Sequence, residues 1–172
     1  MVEVTVARLG LDSATNSFVV VLREKGGARL LPIWIGKPEA DSIVMQMNSI
    51  KRERPLTHDL CKALIVALGG ALRRVTISRV QNSTYFAEMH IERDGGIVQV
   101  DARPSDSIAM ALRFDAPIFA AATLLSAIDA DDPMAAESDA MRISPPNDEM
   151  TTEQLKAYLA TLRPEDFGKF IP

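Results

Sequence analysis

Cysteine is almost absent from this chain. A single thiol, Cys61, in 172 residues excludes an internal disulfide, and with only two histidines there is no Cys/His spacing for a structural zinc site. Cys61 stands in a helical pattern beside Leu60 and Leu64, so a buried, inert thiol is expected. Long apolar runs are missing as well: nothing approaches the ~20 residues that a membrane span needs. The opening Met1-Val2-Glu3-Val4 has neither a basic patch nor an apolar signal core, and the cytoplasm is the expected compartment. Aromatic residues make up only 5%, which leaves Trp34, Tyr85 and Phe86 as the candidates for stacking on single-stranded bases. Trp34 and Phe86 fall in strand patterns, so burial in a core or an interface is the expectation for them. There is no G-x-G-x-x-G, no Walker lysine motif, no internal repeat and no low-complexity tract, so nucleotide-cradling glycine loops are excluded.

What is present is an apolar content of 47%, enough for one core of domain size. Net charge is −4, unevenly spread. From residue 129 onward four basic residues face ten acidic ones, a net of −6; the remaining 15 basic and 13 acidic side chains leave residues 1–128 at +2. A mildly basic body tolerates a polyanionic substrate, but it argues against a protein that coats DNA over a broad basic face. The organisation expected is a domain over 1–128, an acidic flexible linker over 129–149 and a helical tail over 150–172, striped by Leu155, Tyr158, Leu159 and Leu162.

Within the body, Val2, Val4 and Val6 alternate with polar residues as in a half-buried strand, and Phe18 to Leu22 reads as a fully apolar strand. It is followed by a hairpin partner over 29–35, in which Pro32 marks an edge or a bulge. Helices open at Pro38 and at Pro55 to Asp59, the second striped by Leu60, Leu64, Ile65 and Leu68 and ended by Gly69-Gly70. Two further hairpin turns stand at Asn82-Ser83 and Asp94-Gly95-Gly96. Ile97, Val98 and Val100 form a short buried strand leading into Asp101, and a helix starts at Pro104 with Ser105 and Asp106 as acceptors for its first turn. Ala116 to Phe119 is an extended piece, followed by an apolar helix-like stretch, Ala120 to Ile128. The fold class is α+β: a mostly antiparallel or mixed sheet with helices packed on it, plus a short C-terminal helix after the acidic linker. Met45, Met47 and Met110 read as core filler.

Three helix starts carry polar groups: Gly36 to Ala40, Arg54 to His58 and Asp101 to Asp106. Free N–H groups at helix starts favour anions. If these starts converge, Glu39, His58, Asp101 and Asp106 share a pocket ringed by Arg54 and Arg103. Carboxylates hold a hard divalent cation, a neutral histidine takes a proton from water, and arginine stabilises charge on a phosphate. That inventory suits metal-assisted phosphodiester hydrolysis. The plainer reading of the same residues is structural: Asp106 as a helix-start acid, Arg103 paired with Asp101, and His58 bonded to a neighbouring carboxylate.

At these residues the sequence resembles the bifunctional nuclease family, also known as the DUF151 domain. The resemblance runs through Leu31 to Gly36 with Glu39-Ala40, Arg54 to Leu60, Thr84 to Ala87, and Asp101 to Asp106 with Ala109 and Ala111, and covers about residues 1–128. Ser107 stands where the family usually has alanine. The resemblance implies a nuclease acting on DNA and RNA with low sequence specificity, in a compact α+β domain that oligomerises. The resemblance carries over the positions Glu39, Arg54, His58, Asp101, Arg103 and Asp106; in the nuclease reading of the residues, Glu39, Asp101 and Asp106 are expected to ligate Mg²⁺ or Mn²⁺. His58 is the expected general base, working with Asp101, Arg103 and Asp106, and Arg54, Arg103 and Lys37 are the expected phosphate contacts. A homo-oligomer, with a dimer as the commonest closed form, is expected, and no membrane partner. The alternative is a non-enzymatic ligand-binding or regulatory oligomeric module in which the same cluster is structural. Binding of Mg²⁺ or Mn²⁺ that raises the melting temperature would separate the two.

Overall fold

Turn chemistry sets the strand ends. Asn82 and Ser83 both take positive φ (50° and 58°), as do Asp94 and Gly95 (51° and 77°). Two consecutive left-handed residues give the hairpin turn whose twist matches that of the flanking strands. The computed structural model describes residues 1–12, 17–50 and 53–127. Among them the order is β1 (Val2–Asp12), β2 (Ser17–Glu24), β3 (Leu30–Ile35), α1 (Lys37–Met47), α2 (Thr57–Ala67), β4 (Ala71–Gln81), β5 (Thr84–Arg93), β6 (Gly96–Ala102), α3 (Pro104–Phe114) and β7 (Ile118–Ala120), then a single 3₁₀ turn over Ala122–Leu124.

The strands form one mixed sheet in the order β3-β2-β1-β7-β4-β5-β6. Two antiparallel halves, β3-β2-β1 and β4-β5-β6, are joined by the three-residue β7. It pairs antiparallel with β1 (Val4 opposite Ile118) and parallel with β4 (Val75 opposite Ile118). Register shifts between Val6 and Arg8, Leu72 and Arg74, and Ile77 and Arg79 add local twist. The helices cover the sheet: α1 lies on β2, α2 on β4, and α3 on β4 and β5, while α3 also packs against both other helices. Val20, Leu22, Leu31, Ile33, Ile43, Val75, Ile77, Ile108 and Ala111 are the centre of the core. The α+β expectation holds, with β3 at a sheet edge as Pro32 implied.

Several expectations are corrected. Ile97, Val98 and Val100 are exposed, because β6 is the other edge of the sheet and no helix covers it. α2 buries no residue fully, leaving Leu60, Leu64 and Leu68 exposed and Ile65 partly packed on the core. Cys61 is exposed for the same reason. Trp34 is also exposed (48%), since its neighbours Ile33 and Ile35 take the inward positions of the alternating strand. Met110 is core, but Met47 is exposed. The stretch after Phe119 is a strand end and a 3₁₀ turn, with Ile128 outside the described residues. The linker over 129–149 and the tail over 150–172 also lie outside them. No helix among the described residues is long and apolar enough to cross a membrane.

Candidate active site

Three helix openings converge. α1 begins after Gly36, with Pro38 in its first turn and Glu39 following. A Cβ on Gly36 would come within 2.5 Å of a Glu39 carboxylate oxygen, so glycine there leaves the carboxylate its place. α2 begins after Leu56, whose N–H donates to Asp59 Oδ2 at 2.9 Å, and this fixes the turn that carries His58. α3 begins at Pro104, with Arg103 just before it. Asp106 does not cap that helix with its side chain. It bonds instead to His58 at the α2 opening and to Arg103, which in turn reaches Glu39 of α1.

The result is a continuous chain of polar contacts. Ser42 Oγ lies 2.9 Å from His58 Nδ1, and His58 Nε2 lies 3.1 Å from Asp106 Oδ1. Arg103 donates from Nε to Asp106 Oδ2 at 2.7 Å and from Nη2 to Asp106 Oδ1 at 3.1 Å. Arg103 Nη2 also stands 2.8 Å from Glu39 Oε1. These residues line a cavity of about 390 Å³, together with Asp41. Burial alone would raise the Asp106 carboxyl, but the hydrogen bonds from Arg103 and His58 and their charges outweigh it and hold it below its ordinary value. Arg103 is held more firmly charged, chiefly by its hydrogen bond to Asp106. An ionised Asp106 only accepts hydrogen bonds. When His58 is neutral its proton therefore sits on Nε2, and the Nδ1 lone pair faces the Ser42 hydroxyl.

A second pair braces this arrangement. Arg113, buried near the end of α3, donates to Asp59 Oδ1 at 2.6 Å and to the Ala109 carbonyl at 3.0 Å. Burial pushes the Asp59 carboxyl up, but the Arg113 hydrogen bond and the Leu56 N–H prevail and lower it. Lys62 donates to the Arg113 carbonyl, so α2 and α3 are tied twice next to His58.

Of the residues singled out in the sequence, Glu39, His58, Arg103 and Asp106 meet in this cavity. Asp101 does not: it is exposed on β6, opposite Glu88. Arg103 pairs with Glu39 and Asp106 rather than Asp101. Arg54 and Lys37 are exposed and do not line the cavity, though Lys37 pairs at 2.8 Å with Asp41, which does. Among the described residues no group of three or more His, Cys, Asp and Glu side chains is arranged to hold a metal ion. Glu39 and Asp106 remain as an all-oxygen pair of the sort that binds hydrated Mg²⁺, which takes one or two carboxylates and keeps several waters. Arg103 pairs with both and offsets one of their two negative charges.

Sequence reasoning missed Ser42 and the Asp59–Arg113 pair. Ser42 follows Glu39 by three residues, a spacing that puts both on one face of α1, and this was the available signal. Asp59 and Arg113 are 54 residues apart and carry no local mark of their pairing.

A family model described as the bifunctional nuclease domain matches residues 20–132. An uncharacterised protein of Mycobacterium tuberculosis is 38% identical over 167 residues, which is 97% of this chain and 98% of that protein. Bifunctional nuclease 2 of Arabidopsis thaliana is 30% identical over 108 residues, 61% of this chain and 33% of its own length. Bifunctional nuclease 1 of Oryza sativa subsp. japonica is 27% identical over 110 residues, and again only 33% of that protein is covered. The match to the family model takes in β3, all three helix openings and every residue of the polar chain, and the chain belongs to the bifunctional nuclease domain family.

Proposed function

We propose that this pocket hydrolyses phosphodiester bonds of DNA and RNA with low sequence specificity, in a reaction that depends on Mg²⁺ or Mn²⁺. The observation that carries the reading is the unbroken line Ser42–His58–Asp106–Arg103–Glu39 in one solvent-open cavity. Membership of the family, and the names of its plant relatives, support it.

His58 is the proton acceptor. Its free lone pair faces Ser42, so the proton of the attacking water passes to Ser42 Oγ as the Ser42 proton passes to His58 Nδ1. Asp106 holds the ring and stabilises the imidazolium that forms. Two-thirds of the Arg103 side chain is exposed (66%), so its outer N–H groups are open to a non-bridging phosphate oxygen while Nε stays on Asp106. Glu39 and Asp106 would hold the cation, which when bound supplies a polarised phosphoryl oxygen and a more acidic water. Lys37 and Arg54 serve as outer contacts to the phosphate backbone, and Asp101 has no part at the pocket. The proposal extends to a homo-oligomer, a dimer first, supported by the exposed leucines of α2.

One observation favours the second reading, a ligand-binding or regulatory module: Arg103 already pairs with both carboxylates, as a purely structural network would. The test is cleavage of end-labelled single-stranded DNA, duplex DNA and RNA with EDTA, Mg²⁺ or Mn²⁺. Wild type, His58→Ala and Asp106→Asn pass through one purification, with folding checked. Metal-dependent cleavage lost in both variants supports the nuclease. Equal cleavage in all three, or none in any, moves the assignment to the module.

A further inference from the structure

A second cavity, of about 260 Å³, adjoins the first. Glu39 and Arg103 line both, so their ion pair is the partition between them. The far walls come from Trp34 at the end of β3, from Thr84 and Tyr85 after the β4–β5 turn, and from Ser105 in the first turn of α3. β3 and β5 are separated in the sheet by four strands, so strong coiling of the sheet brings these walls together.

The chemistry of this hollow differs from that of the first. It offers an aromatic platform, hydroxyls and the outer face of a guanidinium. The Trp34 indole N–H is held by Asp12 Oδ2 at 3.1 Å, which fixes the edge of the ring without using its face. A half-exposed indole with its only donor satisfied has a flat apolar surface left to offer. Serine and threonine hydroxyls suit the edge of a heterocycle, and Arg103 suits the phosphate attached to it. We propose that this second hollow is a nucleobase subsite, in which the base next to the phosphate at Arg103 stacks on Trp34. The subsite rests on the nuclease reading of the first cavity. A base inside a duplex is stacked on both sides, so the subsite selects unpaired nucleotides.

Trp34 is the chain's single tryptophan, so its emission reports on the subsite alone. The full chain is titrated in EDTA with a short fluorescein-labelled single-stranded DNA, an abasic strand of equal length and a duplex. Anisotropy reads binding, and tryptophan emission, followed with the unlabelled strands, reads stacking. The expected result is quenching by the single strand, none by the abasic strand or the duplex, and an affinity lowered about tenfold in Trp34→Ala but retained in Trp34→Phe. Binding with no quenching, equal quenching by the abasic strand, or unchanged affinity in Trp34→Ala overturns the subsite. A Trp34 emission that shifts with protein concentration alone, with self-association lost in Trp34→Ala, also overturns it and gives the surface to a second copy. If metal-dependent cleavage still requires His58 and Asp106 in any of those cases, the subsite has failed and the nuclease reading has not.

Discussion

Asp106 accepts two hydrogen bonds from Arg103 and one from His58. Its folded carboxyl titrates below the ordinary 3.8, and Asp59 does the same. Both therefore contribute stability that is complete above that value and lost as pH falls through the lower folded one. Replacing Arg103 by alanine should raise the Asp106 titration, because burial, the largest influence and an upward one, then loses its main opponent. Carbon-13 NMR titration of the carboxyl checks the direction. His90 is a third titrating group. Burial first, then the Arg74 charge, keeps it neutral below 6.5, against a smaller pull from Glu88. The unfolded chain thus binds a proton there before the folded one does, and stability should decline as pH drops below 6.5. In His90→Leu that part of the decline should disappear from urea melts taken across the range. Ser42→Ala should keep the fold and cut turnover about 10²-fold or more, the usual scale of a proton-transfer contribution, as read by single-turnover cleavage.

Helices α2 and α3 meet through Arg113, and the position of His58 depends on that joint. Arg113→Met should cost about 1–3 kcal/mol by leaving Asp59 Oδ1 without its guanidinium donor. Denaturant midpoints measure the loss, and cleavage should fall further than stability alone explains. The elements themselves were largely legible. Pro38 and Pro104 mark helix openings, Asn82-Ser83 and Asp94-Gly95 mark turns, and Gly69, at φ 78°, marks the end of α2. Each signal is local, and local chemistry decides it. The exposure of α2 and β6 was not legible, because an apolar stripe shows that a face wants cover and not whether the chain supplies it. Asp101 misled for a related reason. Residues five apart across a strand–helix junction point to different parts of the molecule, so Asp106 enters the pocket and Asp101 stays at the sheet edge.

For the whole molecule, convergence of the three helix openings was an assumption in the sequence and is geometry in the fold. What hid it is the sheet order, which places the late β7 between β1 and β4 through pairings more than 40 residues apart in sequence. The leucines left bare on α2 give the proposed oligomer its test: Leu64→Glu should reduce the sedimentation coefficient to that of a monomer while leaving far-ultraviolet circular dichroism unchanged. The same β7 has a consequence for synthesis. Val2 to Val4 must wait for residues 118–120 before that side of β1 is paired. While the chain is being made, its first hairpin carries an open, apolar strand edge through nearly the whole domain. The growing domain is therefore an adhesive intermediate, and the closing of three residues turns it into a finished sheet.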